Sequence, residues 1–298
     1  MREVDVAITA EDGVLLAGTL SLPVGVGPHP AVLLLHGSGR LDRDANAGRL
    51  RMGFGQPLAA ALAEAGIAVL RYDRRGVGGS GGDWLTTGFV DNRQDAVAAL
   101  RALADRADIQ AGAVGVVGHS EGAVHAMALG SRPDVAAVVL LAGFARDGES
   151  ALRWQARKII GGLPAPVRSV LRGVGNRQLA RVKASGADVV RVVGSKLNAR
   201  WMREMLVHDS RSNLATIGVP VLAITGDKDV QVDPADLDRI RELVPGEVEV
   251  HRVPELTHLL RRDPGRPSVR SYPRQLRQPV DAEVLALVTT WLARRLVA

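Results

Sequence analysis

Five residues, Gly118-His119-Ser120-Glu121-Gly122, constrain this 298-residue chain more than any other stretch. They follow an apolar run ending Val114-Gly115-Val116-Val117 and lead into residues 123–129, which read as helix. A serine with glycine two positions before and two after, between strand and helix, fits a strained turn. Only residues without a β-carbon fit beside so tight a backbone, and the turn lifts the hydroxyl above the sheet edge. Ser120 is therefore the candidate nucleophile. The rest of the chain must supply a base, an acid and a site for developing negative charge.

The flanking pattern says what sheet this turn belongs to. Residues 4–8 and 14–20 alternate around Glu11-Asp12-Gly13 and predict an antiparallel hairpin at a sheet edge. The short continuous apolar runs 31–35 and 67–70 are those of central strands covered on both faces. Helices are expected at 58–65, 94–104, 234–243 and 281–296, with further strands at 135–141, 219–224 and 248–250. Alternating strands and helices imply right-handed crossovers and a mostly parallel sheet with helices on both faces. The interruption is 145–212, with Gly161-Gly162 and Pro164/Pro166 breaks and no strand-like run until Val189. It reads as a helical insertion over the carboxyl ends of the strands, where ligands bind in open α/β sheets.

Composition narrows the chemistry. Hydrophobic residues make up 46% of the chain, enough for a substantial core, and there is no cysteine. Thiolate nucleophiles, thiolate metal sites and disulfides are excluded together. The scattered histidines and carboxylates imply no metal, and no phosphate or dinucleotide motif implies a cofactor. The N-terminus lacks a signal-peptide pattern, and no apolar run approaches the roughly 20 residues of a membrane span. A cytoplasmic protein is the expectation.

The net charge of +6 is uneven: residues 146–211 hold 14 Arg and Lys against 5 Asp and Glu. A second cluster comprises Arg261, Arg262, Arg266, Arg270, Arg274 and Arg277. Few aromatics and no nucleic-acid-binding motif argue against a nucleic-acid partner. Solvated helix faces are the preferred reading of both clusters. The sharper alternative is a positive funnel for anionic esters or thioesters.

The base should follow the last strand, and His258 does. The acid should lie between Ser120 and His258, just after a strand. Thr225-Gly226-Asp227-Lys228-Asp229 offers two candidates. Asp229 is favoured because Asp227, directly after the glycine, is placed to cap the turn. A carboxylate there would hold the imidazole tautomer and stabilise the imidazolium. Backbone amides of Ser38, in His36-Gly37-Ser38-Gly39, and of Glu121 are the candidates for the oxyanion site. Trp154 and Trp201 are candidates for an apolar acyl wall, against packing of the insertion on the core.

Three ordered motifs carry a resemblance. His36-Gly37-Ser38-Gly39 with Asp42-Arg43-Asp44, then 71–80 (Arg71-Tyr72-Asp73-Arg74-Arg75-Gly76-Val77-Gly78-Gly79-Ser80), then 118–122 look like the α/β-hydrolase superfamily. The chain resembles its bacterial carboxylesterase branch, near the dienelactone-hydrolase-like and serine-aminopeptidase-like members. The resemblance implies an α/β-hydrolase fold with a mostly parallel sheet of about eight strands flanked by helices. The core would be 1–144 and 213–298, and 145–212 a helical cap. It also implies Ser120, Asp229 and His258 as a triad, Ser38 and Glu121 as oxyanion donors, and Asp73 and Arg74 as structural members of a loop below the site. The expected activity is cleavage of small-molecule carboxylic esters of small to medium acyl chain. A serine peptidase or thioesterase of the same fold is the enzymatic rival, and a non-catalytic binding protein the other.

Overall fold

The computed structural model describes residues 1–48, 50–192 and 194–297. Its main sheet has eight strands: β1 (Arg2–Thr9), β2 (Leu15–Leu22), β3 (His29–Leu35), β4 (Ala68–Tyr72), β5 (Ile109–His119), β6 (Ala137–Leu141), β7 (Val221–Gly226) and β8 (Val248–Val253). The spatial order is β1-β2-β4-β3-β5-β6-β7-β8. β2 runs antiparallel to both its neighbours, and the pairs from β4 to β8 are parallel.

The apolar runs are continuous because each central strand serves two cores. Leu33 and Leu35 face one core with Val116, Leu140 and Ala223. Val32 and Leu34 face the other with Val117, Val139 and Ile224. Helices α2 (Phe89–Ala104), α3 (Glu121–Leu129) and α8 (Asp236–Leu243) cover the first face. Helices α1 (Gly55–Glu64) and α9 (Ala282–Leu296) cover the second, where Leu58, Leu62, Val288 and Trp291 are buried. Such two-sided burial is what strands of a parallel sheet require.

Between β6 and β7 lie α4 (Gly148–Ile160), α5 (Ala165–Ala184), α6 (Ala199–Val207) and α7 (Ser210–Leu214). A two-stranded ribbon, Val189–Val192 with Ser195–Asn198, precedes α6. Leu214 of α7 is already in the sheet core, so the chain rejoins the sheet within that helix.

Helix α2 starts five residues before the sequence reading of 94–104. The Asp91 carboxylate accepts from Gly88 N at 2.9 Å, and Glu204 of α6 accepts from Val90 N at 2.8 Å. A cap supplied from over a hundred residues away satisfies amides that would otherwise be orphaned at a helix start. Local periodicity carries no sign of it.

Candidate active site

Ser120 stands between β5 and α3 with φ 56° and ψ −118°, a left-handed backbone for a non-glycine residue. Such strain is held only where surrounding structure over-determines it. Here the Ser120 amide is fixed on the Leu141 carbonyl of β6 at 2.9 Å. A β-carbon at Gly118 would overlap the Gly122 carbonyl, and one at Gly122 would overlap the Leu35 carbonyl. The two glycines thus let β5, α3 and β3 approach closely enough to form the turn.

His258 lies on the loop after β8, buried, with its Nε2 3.1 Å from Ser120 Oγ. Its Nδ1–H donates to Asp229 Oδ2 at 2.8 Å. The other Asp229 oxygen accepts from the amides of Gln231 (2.7 Å) and Val232 (2.9 Å), which fixes the carboxylate on its own turn. Asp227, the other candidate acid, is exposed. Imidazole, carboxylate and hydroxyl therefore stand in series, in the arrangement that transfers a serine proton and steadies the resulting imidazolium.

His119 supports this series from below. Its Nε2–H donates to the His258 carbonyl at 2.9 Å, and the two rings lie 4.9 Å apart. Burial, and then the neighbouring His258, hold the His119 pKa down to about 3, so the ring is a neutral donor. Sequence reasoning placed His119 only as a member of the turn; a partner 139 residues away leaves no local signal.

The loop 36–39 sits against the nucleophile: a β-carbon on Gly37 would lie 3.3 Å from Ser120 Cβ. Ser38 is exposed and lines the cavity that contains Ser120. Glu121 is the first residue of α3, where backbone N–H groups have no intrahelical acceptor. Both residues line the cavity that contains Ser120.

The Glu121 side chain was not singled out by its sequence position. It is buried, and its Oε1 accepts from Arg74 Nη2 (3.1 Å), His125 Nε2 (3.1 Å), Trp201 Nε1 (3.2 Å) and Asn92 Nδ2 (3.3 Å). Burial alone would raise its pKa, but Arg74, His125 and Trp201 hold it down to about 2. Arg74 also donates to the His36 carbonyl, at 3.3 Å. Asp73 accepts from Arg43 and from the Gly79 amide (3.0 Å), holding the loop that carries Arg74.

Trp201 and Ser38 line two cavities. One, of about 100 Å³, contains Ser120 and is walled by Ser38, Phe144, Leu152, Met205 and Trp201. The other, of about 200 Å³, is walled by Ser38, Arg74, Trp84, Asn92, Asn198 and Trp201. Trp154 lines neither; Lys158 Nζ lies 5.2 Å from its ring centre. Nor does the 261–277 cluster line them. Arg261 is buried and donates to the carbonyls of Leu259 and Met52, while Arg262 pairs with Asp281 and Glu283, and Arg274 with Asp263.

Comparison with known proteins agrees with this architecture. Residues 28–265 match the family model described as serine aminopeptidase, S33. The esterase EstD of Thermotoga maritima is 28% identical over 282 residues, covering 94% of this chain and 66% of EstD. The chain therefore spans just under two thirds of that relative's length. The structure of Est1E from Butyrivibrio proteoclasticus with ferulic acid bound superposes with a TM-score of 0.68 at 17% identity, covering 98% of this chain and 100% of that one. The Pyrococcus furiosus esterase Pf2001 gives 0.63 at 20% identity, covering 99% and 92%. The family model and the eight-stranded sheet lead to one assignment: this chain is a member of the serine aminopeptidase S33 family and has the α/β-hydrolase fold.

Proposed function

We propose that this protein is a serine hydrolase that cleaves carboxylic esters of small to medium acyl chain through an acyl-enzyme. The observation carrying this reading is the series Asp229–His258–Ser120, with 2.8 and 3.1 Å between partners, beneath an open cavity. Ser120 Oγ attacks the ester carbonyl carbon as His258 Nε2 takes the hydroxyl proton. The amides of Ser38 and Glu121 stabilise the oxyanion. His258 then protonates the departing alkoxide, leaving Ser120 acylated. Water, deprotonated by the same imidazole, attacks the acyl carbon and releases the acid and free Ser120. The chemistry needs no metal or cofactor. The segment 145–212 acts as a cap, supplying Leu152, Trp201 and Met205 to the wall.

The electrostatics favour an ester over a peptide with a free amino terminus. Glu121 is the sole carboxylate among the described residues lining the two cavities. Arg74 already neutralises it, so neither cavity offers an unpaired anion to a substrate ammonium. The relatives named as esterases support the same preference.

The test compares p-nitrophenyl butyrate with an aminoacyl p-nitroanilide. Wild type should turn over the ester, with little action on the anilide. Ser120→Ala should abolish ester turnover at unchanged melting temperature, and Asp229→Asn should reduce kcat by about 10⁴-fold. An active Ser120→Ala protein, or preference for the anilide, would refute the proposal.

A further inference from the structure

Helix α5 is buried at only one of its twenty residues, Val182. Val167, Val170, Leu171 and Val174 are exposed, Val170 to 65%. Their spacing of i, i+3, i+4 and i+7 puts them in one stripe along the helix. Ile159 of α4 is exposed as well. Beneath α5, Leu152, Ile160, Leu171, Leu179, Val182 and Met202 line an apolar groove of about 570 Å³. Leu152 and Met202 also wall the Ser120 cavity, so the groove and the candidate site share side chains.

Charge surrounds this apolar surface with one sign. Residues 150–187 contain eight Arg and Lys and no Asp or Glu. Arg153 and Lys183 pair with Glu149. Among the described residues, Arg157, Lys158, Arg168, Arg172, Arg177 and Arg181 form no ion pair. On the helix wheel Arg181 continues the line of the valine stripe two turns beyond Val174, and Arg177 lies at one edge of it.

We propose that the α4–α5 face docks on an anionic lipid bilayer. The valines enter the boundary between headgroups and acyl chains, and the arginines engage lipid phosphates. An apolar stripe beside unpaired cations is the combination that holds a helix in an interfacial plane. A second copy of the chain would set the same cations against each other. A nucleic acid would satisfy the arginines but leave the aliphatic stripe in water. The inference does not depend on ester cleavage, and Ser120→Ala should bind vesicles as wild type does.

The experiment is co-sedimentation of the full chain with extruded vesicles, either phosphatidylcholine alone or phosphatidylcholine with phosphatidylglycerol. Binding is expected on the anionic vesicles, weak on the neutral ones, and reduced by high salt. Each cation near an anionic leaflet is worth roughly a fivefold gain in partitioning, so Arg177→Glu with Arg181→Glu should lower it at least about thirtyfold. Val170→Ser with Val174→Ser should lower it about tenfold. If either pair lowers the melting temperature, Arg177→Gln with Arg181→Gln takes its place, and the wild-type preference for anionic vesicles remains decisive. Absent binding, equal binding to both vesicle types, or indifference to the substitutions would overturn the proposal. So would a dimer that Val170→Ser with Val174→Ser dissolves, or nucleic-acid retention without vesicle binding.

Discussion

The indole nitrogen of Trp201 lies 3.2 Å from Glu121 Oε1, so the segment between β6 and β7 is tied to the residue next to the candidate nucleophile. The same residue lines both cavities. One hydrogen bond thus fixes a side chain that the two spaces share. Trp201→Phe keeps a ring but loses the donor to a charged acceptor, and should lower stability by about 1.5 kcal/mol in a denaturant titration. Trp201→Ala should merge the cavities. The ratio of kcat/KM for octanoate over acetate esters should then rise on the order of tenfold. An unchanged ratio would remove Trp201 from the specificity argument.

Arg74 and Glu121 are both buried, and removing one partner of such a pair leaves an uncompensated charge. Arg74→Met should cost about 3 kcal/mol. Adding Glu121→Gln removes that charge while keeping an acceptor for Trp201 and Asn92, so the double variant should recover part of the loss. Additive losses would show that the two side chains act independently.

Gly122→Ala tests the backbone approach at the turn. A methyl there meets the Leu35 carbonyl, and neither β3 nor α3 can retreat without disturbing the sheet. The substitution should destabilise the fold by about 3 kcal/mol and remove turnover in whatever protein still folds. A normal melting curve with normal activity would contradict the contact.

Acid should unfold this protein through its neutral histidines. Burial holds His36 down to about 4, His119 to about 3 and His208 to about 4, against an ordinary value of 6.5. Between pH 6.5 and 4 the unfolded chain binds these protons and the folded chain does not. Stability therefore rises with pH, is complete above 6.5, and is lost as pH falls through this window. Near pH 5 the two fully buried rings, His36 and His119, together give a slope of about 2.5 kcal/mol per pH unit, to which the partly exposed His208 adds a smaller share. Unfolding measured from pH 7 to 5 should show an uptake approaching three protons, and His119→Gln should remove one. A flat profile would mean that these rings are protonated in the fold.

Much of the architecture was legible because its signals are local. The apolar runs at 31–35 and 67–70 are continuous because both faces of those strands are covered. Glycines at 118 and 122 announce the turn because no other residue fits there. The choice between Asp227 and Asp229 rested on turn chemistry, and the hydrogen bond to His258 falls on Asp229. What escaped notice is what long-range partners decide. The start of α2 depends on Glu204, and the orientation of Glu121 on Arg74, Asn92, His125 and Trp201. For the 261–277 arginines the sequence left solvated faces as the preferred reading and a field at the entrance as the alternative. Arg261, Arg262 and Arg274 are committed to carbonyls and carboxylates, Met52 and Asp281 among them, which charge counting cannot reveal.

Helix α6 is fastened to the core at several points. Asn198 Nδ2 donates to the carbonyls of Trp84 and Thr87, Arg200 pairs with Asp91, and Glu204 caps α2. No comparable set of bonds restrains α5 among the described residues. Amide exchange should accordingly be slower at 199–207 than at 165–184, and a reversed order would contradict this division. Of the two, α6 is the bolted beam and carries the tryptophan that walls the Ser120 cavity, whereas α5 is a loose panel that contributes no side chain to it.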